Sequence, residues 1–166
     1  GKLSYIMGNP PFVGGKIMTS AQKKDLTTLI GDVKRASRVD YVVGWYYKAA
    51  RYIRGTNIEV GFVSTSSIVQ GAQVAPLWKP LIQNEGISIN FAYRTFKWSS
   101  ESKKTAAVHC VIIGFANFPR NIKWIFTDNA KLAVQHINPY LMDAPDIFVE
   151  NRSKPLCAVP PMYFGN

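Results

Sequence analysis

The sequence of 166 residues has few of the residues that build disulfide frameworks, metal sites and acidic surfaces. It contains two cysteines, two histidines and ten Asp and Glu residues. Two cysteines cannot form a disulfide framework, and neither Cys nor His recurs at metal-ligand spacing, so we expect no metal and a reducing compartment. The longest apolar run, residues 106–118, is too short for a membrane span and contains His109 and Asn117. We therefore expect a cytoplasmic protein without a membrane partner.

Positive charge is what the sequence has in excess. The 20 Lys and Arg residues give a net charge of +10 and a pI near 9.7, while hydrophobic residues make up 47% and aromatic residues 13%. This composition excludes a disordered chain. Residues 1–58 contain ten Lys and Arg against three Asp. Such a charge favours a polyanionic partner such as nucleic acid, and the alternative is a basic surface without a specific partner.

Apolar periodicity predicts an α/β fold whose last strands form an antiparallel pair. A first strand ends at Asn9-Pro10-Pro11-Phe12, because neither proline can donate to a sheet ladder, and a loop rich in Gly and Lys follows. A helix is expected to start near Ser37, with Ser37 and Asp40 as a capping pair, and to stop near Gly55. Further strands are predicted over residues 58–65, 87–93, 106–118 and 123–126, with a Pro-interrupted helix within residues 72–84.

The sequence pattern divides the chain into a main domain and a C-terminal segment. The pattern predicts a main domain over residues 1–135, in which residues 99–105 form a surface loop. Repeated prolines interrupt residues 136–166, so we expect an extended segment there that leads toward another region.

The tetrapeptide Asn9-Pro10-Pro11-Phe12 carries the clearest chemical signal. It follows a strand at its carboxyl end, where open α/β sheets bind their ligands. The prolines fix the backbone, so that the Asn9 side-chain oxygen and the Pro10 carbonyl can accept both N–H bonds of an exocyclic amine. These bonds favour a tetrahedral nitrogen able to accept a methyl group, and Phe12 offers a ring face to the base. The alternative is a rigid loop that buries Phe12 in the core.

This tetrapeptide resembles motif IV of the amino-methyltransferases that use S-adenosylmethionine, and its leading Asn resembles the N6-adenine type. Four later segments resemble, in order, the later motifs of the MmeI-like family, which fuses restriction endonuclease, γ-class DNA methyltransferase and target-recognition regions. The segments are residues 40–50, 62–71, 91–98 and 111–115. The resemblance extends over about residues 1–150. It implies the C-terminal half of a Rossmann-like methyltransferase sheet that ends in an antiparallel strand pair.

The resemblance also implies roles for individual residues. Asn9, Pro10 and Phe12 match the catalytic tetrapeptide, and Phe96 matches the motif VIII aromatic that packs against a flipped adenine. Contacts with S-adenosylmethionine are implied for Pro11 and Trp45, and contacts with the DNA backbone for Lys97, Lys103 and Lys104. Each has a simpler alternative: Phe96 as a core aromatic, Trp45 as helix-packing surface, and the lysines as a solvated loop.

The resemblance implies that this chain is a fragment. The family's Gly-containing motif I, which holds most of the S-adenosylmethionine site, precedes motif IV, and we expect it upstream. The expected partners are double-stranded DNA, the upstream methyltransferase half and a downstream target-recognition region of the same polypeptide. The family commonly has Asn where Ser66 stands. The isolated fragment is expected to be inactive. Two alternatives stay open: a methyltransferase of RNA bases or of protein glutamine, and a non-catalytic nucleic-acid-binding module.

Overall fold

The structure is a computed structural model that describes residues 3–32, 36–98 and 108–150. Three α-helices and six strands are present in these ranges. The helices are α1 (Ser20–Ile30), α2 (Val43–Tyr52) and α3 (Val74–Gln83), and two short 3-10 helices, Ser66–Val69 and Gly71–Gln73, precede α3. The strands are β1 (Tyr5–Gly8), β2 (Glu59–Thr65), β3 (Ser88–Trp98), β4 (Val108–Ala116), β5 (Lys123–Phe126) and β6 (Lys131–Val134).

The six strands form one mixed sheet in the order β1-β2-β4-β3-β5-β6. Strands β1 and β2 are parallel, as are β3 and β5, while β4 runs antiparallel to both of its neighbours and β6 to β5. The predicted α/β fold is confirmed, and so is the antiparallel pair, which β3 and β4 form. Because β1, β2 and β3 share a direction, their carboxyl ends lie at one edge of the sheet.

One face of the sheet carries the hydrophobic core. Alternate residues of β2 are buried against the helices, and four aromatic rings, Tyr46, Phe62, Trp78 and Phe115, meet there with centroid distances of 5.4 to 6.0 Å. The polar atoms of this cluster are satisfied, since the Tyr46 hydroxyl bonds to Ser64 Oγ at 2.8 Å and Trp78 Nε1 donates to the Ile68 carbonyl at 2.7 Å. Burial raises the pKa of Tyr46 further above its ordinary value, so this hydroxyl stays protonated.

On the opposite face, one aromatic ring lies close to two glycines. Phe91 lies across Gly114 of β4 and also contacts the position of Gly61 in β2. Strand β3 shifts register twice along β4, between Ile89 and Phe91 and between Tyr93 and Phe96. Each shift changes the face to which the following side chains point.

The predicted loop after the tetrapeptide is present, but it is followed by a helix that was not predicted. Helix α1 begins after Thr19, whose side chain accepts from the Gln22 amide while Gln22 bonds back to the Thr19 amide. Only Leu26 and Ile30 of this helix are buried. The apolar stripe is therefore too sparse to show helical periodicity in the sequence, and the capping box was the signal that could have located it.

The start of α2 was also predicted wrongly, because the helix begins at Val43 rather than near Ser37. Ser37 and Asp40 do not form the predicted capping pair. The Asp40 carboxylate is buried instead, and the Asp40 backbone amide donates to Gln73 Oε1 at 2.9 Å. The apolar positions of the predicted pattern are nevertheless buried, from Val39 to Ile53.

The other elements lie close to their predicted ranges, except that β3 extends to Trp98 and β6 was not predicted. The predicted 99–105 loop lies outside the described residues. After β6, Ile137 and Leu141 are buried in the same core as the sheet, and the domain boundary after residue 135 stays a prediction. None of the helices in the described ranges has the length and apolar character to cross a membrane.

Candidate active site

The tetrapeptide Asn9-Pro10-Pro11-Phe12 directly follows β1, whose last residue, Gly8, lies opposite Phe62 of β2. Asn9 is exposed, Pro10 is buried, Pro11 is exposed, and Phe12 is half-buried and packs against the core cluster. The backbone of the tetrapeptide is thus fixed through Pro10, while the Asn9 amide remains in contact with solvent.

The segment that follows the tetrapeptide is held by a backbone hydrogen bond to the residue after Asp40. The Tyr41 amide donates to the Val13 carbonyl at 2.9 Å. This bond restrains the chain immediately after Phe12, and it brings the buried Asp40 carboxylate close to Val13.

Asp40 is a buried carboxylate, only 6% exposed, and its Oδ1 has no hydrogen-bond partner among the described residues. Burial raises the pKa of the Asp40 carboxyl above its ordinary value, and the nearby donor groups of Tyr41, Val13 and Thr65 oppose that shift. Sequence reasoning missed the role of Asp40 and Thr65 beside the tetrapeptide. The available signal was an acidic residue inside an otherwise apolar run.

Phe96 lies at the same edge of the sheet as the tetrapeptide. It is opposite Cys110 of β4, and Cys110 is opposite Thr65 at the carboxyl end of β2. Two strands, β2 and β4, separate β1 from β3, so their backbones are about 14 Å apart at a spacing of roughly 4.8 Å per strand. Phe12, which packs against the core, and Phe96, on β3, therefore share one edge of the sheet.

The remaining predicted site residues are less well defined by the structure. Lys97 is exposed opposite His109, while Lys103 and Lys104 lie outside the described residues. The Trp45 side chain is 40% exposed on α2, with Lys48 Nζ 5.7 Å from its ring centroid. Trp45 is therefore not solely a core-packing residue, and its contact with a cofactor stays a prediction.

Two cavities occur away from the tetrapeptide. One, of about 320 Å³, is lined by Phe91, Trp124 and Phe126 with the Glu59–Arg120 ion pair at its side. The other, of about 410 Å³, is polar and lies beside α3, where Lys79 pairs with Glu150. Neither cavity is lined by the tetrapeptide or by Phe96. Over the ranges that the structure describes, no cluster of three or more His, Cys, Asp or Glu residues could hold a metal ion.

The fold and the tetrapeptide together define the class. A mixed sheet with Asn-Pro-Pro-Phe at the carboxyl end of a parallel strand is the arrangement of a methyltransferase catalytic domain. Residues 1–127 match the model of a protein family described as "MmeI, DNA-methyltransferase domain". The chain belongs to this family, and use of S-adenosylmethionine is general among methyltransferases.

Two relatives agree with this assignment. DNA methyltransferase A of Bacillus subtilis (strain 168) is 43% identical over 163 residues, which cover 98% of this chain and 18% of that protein. The solved structure of the Type IIL restriction-modification enzyme MmeI in complex with DNA is 45% identical, with a TM-score of 0.89 over 95% of this chain and 22% of that one. The chain thus spans about a fifth of the length of each relative. The match of the whole fold confirms that the sheet is part of a methyltransferase fold.

Proposed function

We propose that this chain is part of a DNA methyltransferase that transfers a methyl group from S-adenosylmethionine to N6 of an adenine turned out of the duplex. The whole protein would act in restriction and modification, as does the Type IIL restriction-modification enzyme MmeI. Family membership and the similarity to DNA methyltransferase A support methylation of DNA. Adenine as the target rests on Asn, rather than Ser, at position 9 of the tetrapeptide.

The observation that carries this proposal is the position of the tetrapeptide relative to Phe96. Asn9 and Phe12 stand at the edge of the sheet where β1, β2 and β3 end, and Phe96 stands at the same edge on β3. Base-on-aromatic stacking contributes about 1–3 kcal/mol per contact. Two such contacts, from Phe12 and Phe96, would offset the few kcal/mol needed to extrude a base from its stack.

The chemistry of the tetrapeptide suits an aromatic amine. The lone pair of adenine N6 is delocalised into the ring, which makes this nitrogen a poor nucleophile. Hydrogen bonds from its two N–H groups to Asn9 Oδ1 and to the Pro10 carbonyl would favour the tetrahedral form, in which the lone pair is localised. N6 would then form the bond to the methyl carbon while the methyl–sulfur bond of the donor breaks to leave a neutral thioether, and loss of one N–H proton to solvent would leave N6 as a secondary amine.

Pro11 and Trp45 are the residues that would contribute to a site for S-adenosylmethionine, which supplies the methyl group when bound. Pro11 is exposed beside Asn9, and the Trp45 ring is accessible to an adenine ring. We propose that an upstream half of the same polypeptide completes the site. Strand β1 is the terminal strand of the sheet within the described ranges, with Tyr5 and Met7 exposed, which suits the addition of a further strand. Activity of the isolated fragment is therefore not expected.

The test is the Asn9→Ala variant of the full-length protein, assayed for methyl transfer to duplex DNA. Removal of one preorganised hydrogen-bond partner costs about 10²-fold or more in kcat, whereas DNA affinity is expected to stay close to that of the unmodified protein. Asn57→Ala, at another exposed Asn, is the matched control and is expected to keep full activity.

Other results would point to the alternatives. Full methylation by the Asn9→Ala variant would contradict the role of Asn9. A full-length protein that binds DNA but shows no S-adenosylmethionine binding in calorimetry would be a nucleic-acid-binding module. Transfer of the methyl group to RNA or protein, but not to DNA, would contradict the proposed substrate. The cytoplasmic location and the downstream target-recognition region stay predictions.

A further inference from the structure

We infer that Tyr93 and Asp128 are positioning residues that fix the Phe96 ring in the orientation needed to stack on the extruded base. This inference rests on the proposed function. Neither residue belongs to the tetrapeptide, and Asp128 lies 32 positions after Phe96 in the sequence. Strand register, two ring contacts and one hydrogen bond connect the two residues to Phe96.

The register of β3 places Tyr93 and Phe96 on the same face of the sheet. In an uninterrupted strand, residues three apart point to opposite faces. Here Tyr93 is opposite Ile112 and Phe96 is opposite Cys110, so three steps along β3 match two steps along β4. This β-bulge turns Phe96 to the side of Tyr93, away from the helix-covered face.

The Tyr93 ring is held between Phe96 and Phe126. Its centroid lies 5.3 Å from that of Phe96 with an interplanar angle of 82°, and 6.4 Å from that of Phe126 with an angle of 6°. The parallel contact sets the plane of Tyr93, and the edge-to-face contact then sets the tilt of Phe96. Ring tilt is the property on which stacking of a base depends.

Asp128 restrains the Tyr93 side chain through a hydrogen bond to its hydroxyl. The Tyr93 hydroxyl donates to Asp128 Oδ1 at 2.9 Å. Asp128 lies in the turn between β5 and β6, which is closed by a bond of 2.9 Å from the Thr127 amide to the Ala130 carbonyl. The hydrogen bond raises the pKa of the Tyr93 hydroxyl above its ordinary value, which agrees with the hydroxyl acting as the donor. The orientation of Phe96 is thereby coupled to a turn on a neighbouring strand pair.

If the Tyr93–Asp128 bond served only to stabilise the fold, its loss would lower the free energy of unfolding. The Tyr93–Asp128 bond lies at the surface, and exposed interactions of this kind contribute little to folding. Its loss is therefore expected to leave folding almost unchanged while altering base positioning. This difference separates a positioning role from a stabilising one.

The experiment uses the full-length protein and a duplex with 2-aminopurine at the target adenine, whose fluorescence reports base extrusion. Tyr93→Phe and Asp128→Ala are expected to lower the fluorescence gain and, on an unmodified duplex, to lower kcat by about 2- to 12-fold, the equivalent of one hydrogen bond. KM for S-adenosylmethionine is expected to stay constant. Asp128→Asn keeps an acceptor oxygen and is expected to restore most of the activity.

Tyr52→Phe and Asp143→Ala make the same chemical changes at exposed positions elsewhere and are the matched controls. Unmodified fluorescence and kcat in both Tyr93→Phe and Asp128→Ala would overturn the inference, provided that the parent protein methylates the duplex. Equal losses in Asp128→Asn and Asp128→Ala would also overturn it. If Asp128→Ala fails to fold, Tyr93→Phe decides the question. An active Asn9→Ala variant would instead contradict the proposed function, so the two failures are distinguishable.

Discussion

Two glycines on neighbouring strands, Gly61 and Gly114, differ in how closely the Phe91 ring approaches them. A Cβ added at Gly114 would lie 1.9 Å from Phe91 Cε1, whereas one added at Gly61 would lie 3.6 Å from the same ring. Gly114→Ala is therefore expected to lower the free energy of unfolding by about 1–3 kcal/mol or more, through overpacking in the middle of the sheet. Chemical denaturation measures this difference.

Gly61→Ala is the matched control, because its added methyl group meets ordinary van der Waals contact, and we expect little change in stability. Phe91→Leu combined with Gly114→Ala is expected to recover part of the loss, since the smaller side chain makes room for the methyl group. Equal destabilisation by the two alanine substitutions would contradict the assignment of Phe91 as the cause.

Single residues also differ in whether their structural roles can be predicted from the sequence. The site at Asn9–Phe12 is predictable because all four residues and the preceding strand are adjacent in the chain. Asp40 is not, since the groups near its carboxylate include Val13 and Thr65, which are 27 and 25 positions away. A local pattern assigns Asp40 to a helix cap, and only the tertiary structure shows that it is buried beside the chain that follows Phe12.

At the scale of elements, α1 depends on its cap more than on its buried face. Thr19 and Gln22 exchange two hydrogen bonds at the first turn, and only two residues of the helix are buried. Thr19→Ala is expected to lower the free energy of unfolding by about 1 kcal/mol. The measurement is chemical denaturation followed by circular dichroism.

Thr28→Ala provides the control within the same helix. Its hydroxyl bonds back to the Lys24 carbonyl at an exposed position, and alanine has the higher helix propensity, so this substitution is expected to be neutral or stabilising. A cost at Thr28 as large as that at Thr19 would show that the helix interior, rather than its cap, is the sensitive part.

Elements with a strong apolar pattern were predictable, and those with a weak one were not. The run of buried β-branched residues in β2 and β4 predicted both strands, and Lys123–Phe126 was located at its observed bounds. Strand β6 was missed because its residues are mostly exposed. The register of β3 was also beyond prediction, since a bulge depends on the partner strand and leaves no pattern of its own.

At the scale of the whole molecule, the outer edge of β1 is the most exposed apolar part of the sheet. Tyr5 is 62% and Met7 85% exposed, and no strand pairs with this edge in the described part of the chain. We expect the 166-residue chain to associate through this edge at high concentration. Met7→Lys is expected to suppress the association, as measured by sedimentation velocity.

Ile17→Lys makes a comparable change from an exposed apolar residue to a charge away from this edge, since Ile17 is 76% exposed and precedes α1. It is expected to leave the association unchanged. An equal effect of both lysine substitutions would indicate a general effect of net charge, and the edge would then have no special role.

The strand order has a consequence for how the chain acquires its structure. Strand β4 is inserted between β2 and β3, both of which precede it in the sequence. During synthesis from the amino terminus, β2 and β3 therefore lack the strand that pairs with both of them until residue 116 has left the ribosome. The central sheet closes only when β4 docks, because its pairing with β2 joins residues 45 to 57 positions apart, and such non-local pairing is slow. We therefore expect the nascent chain to be most prone to aggregation in the interval between the release of β3 and the docking of β4.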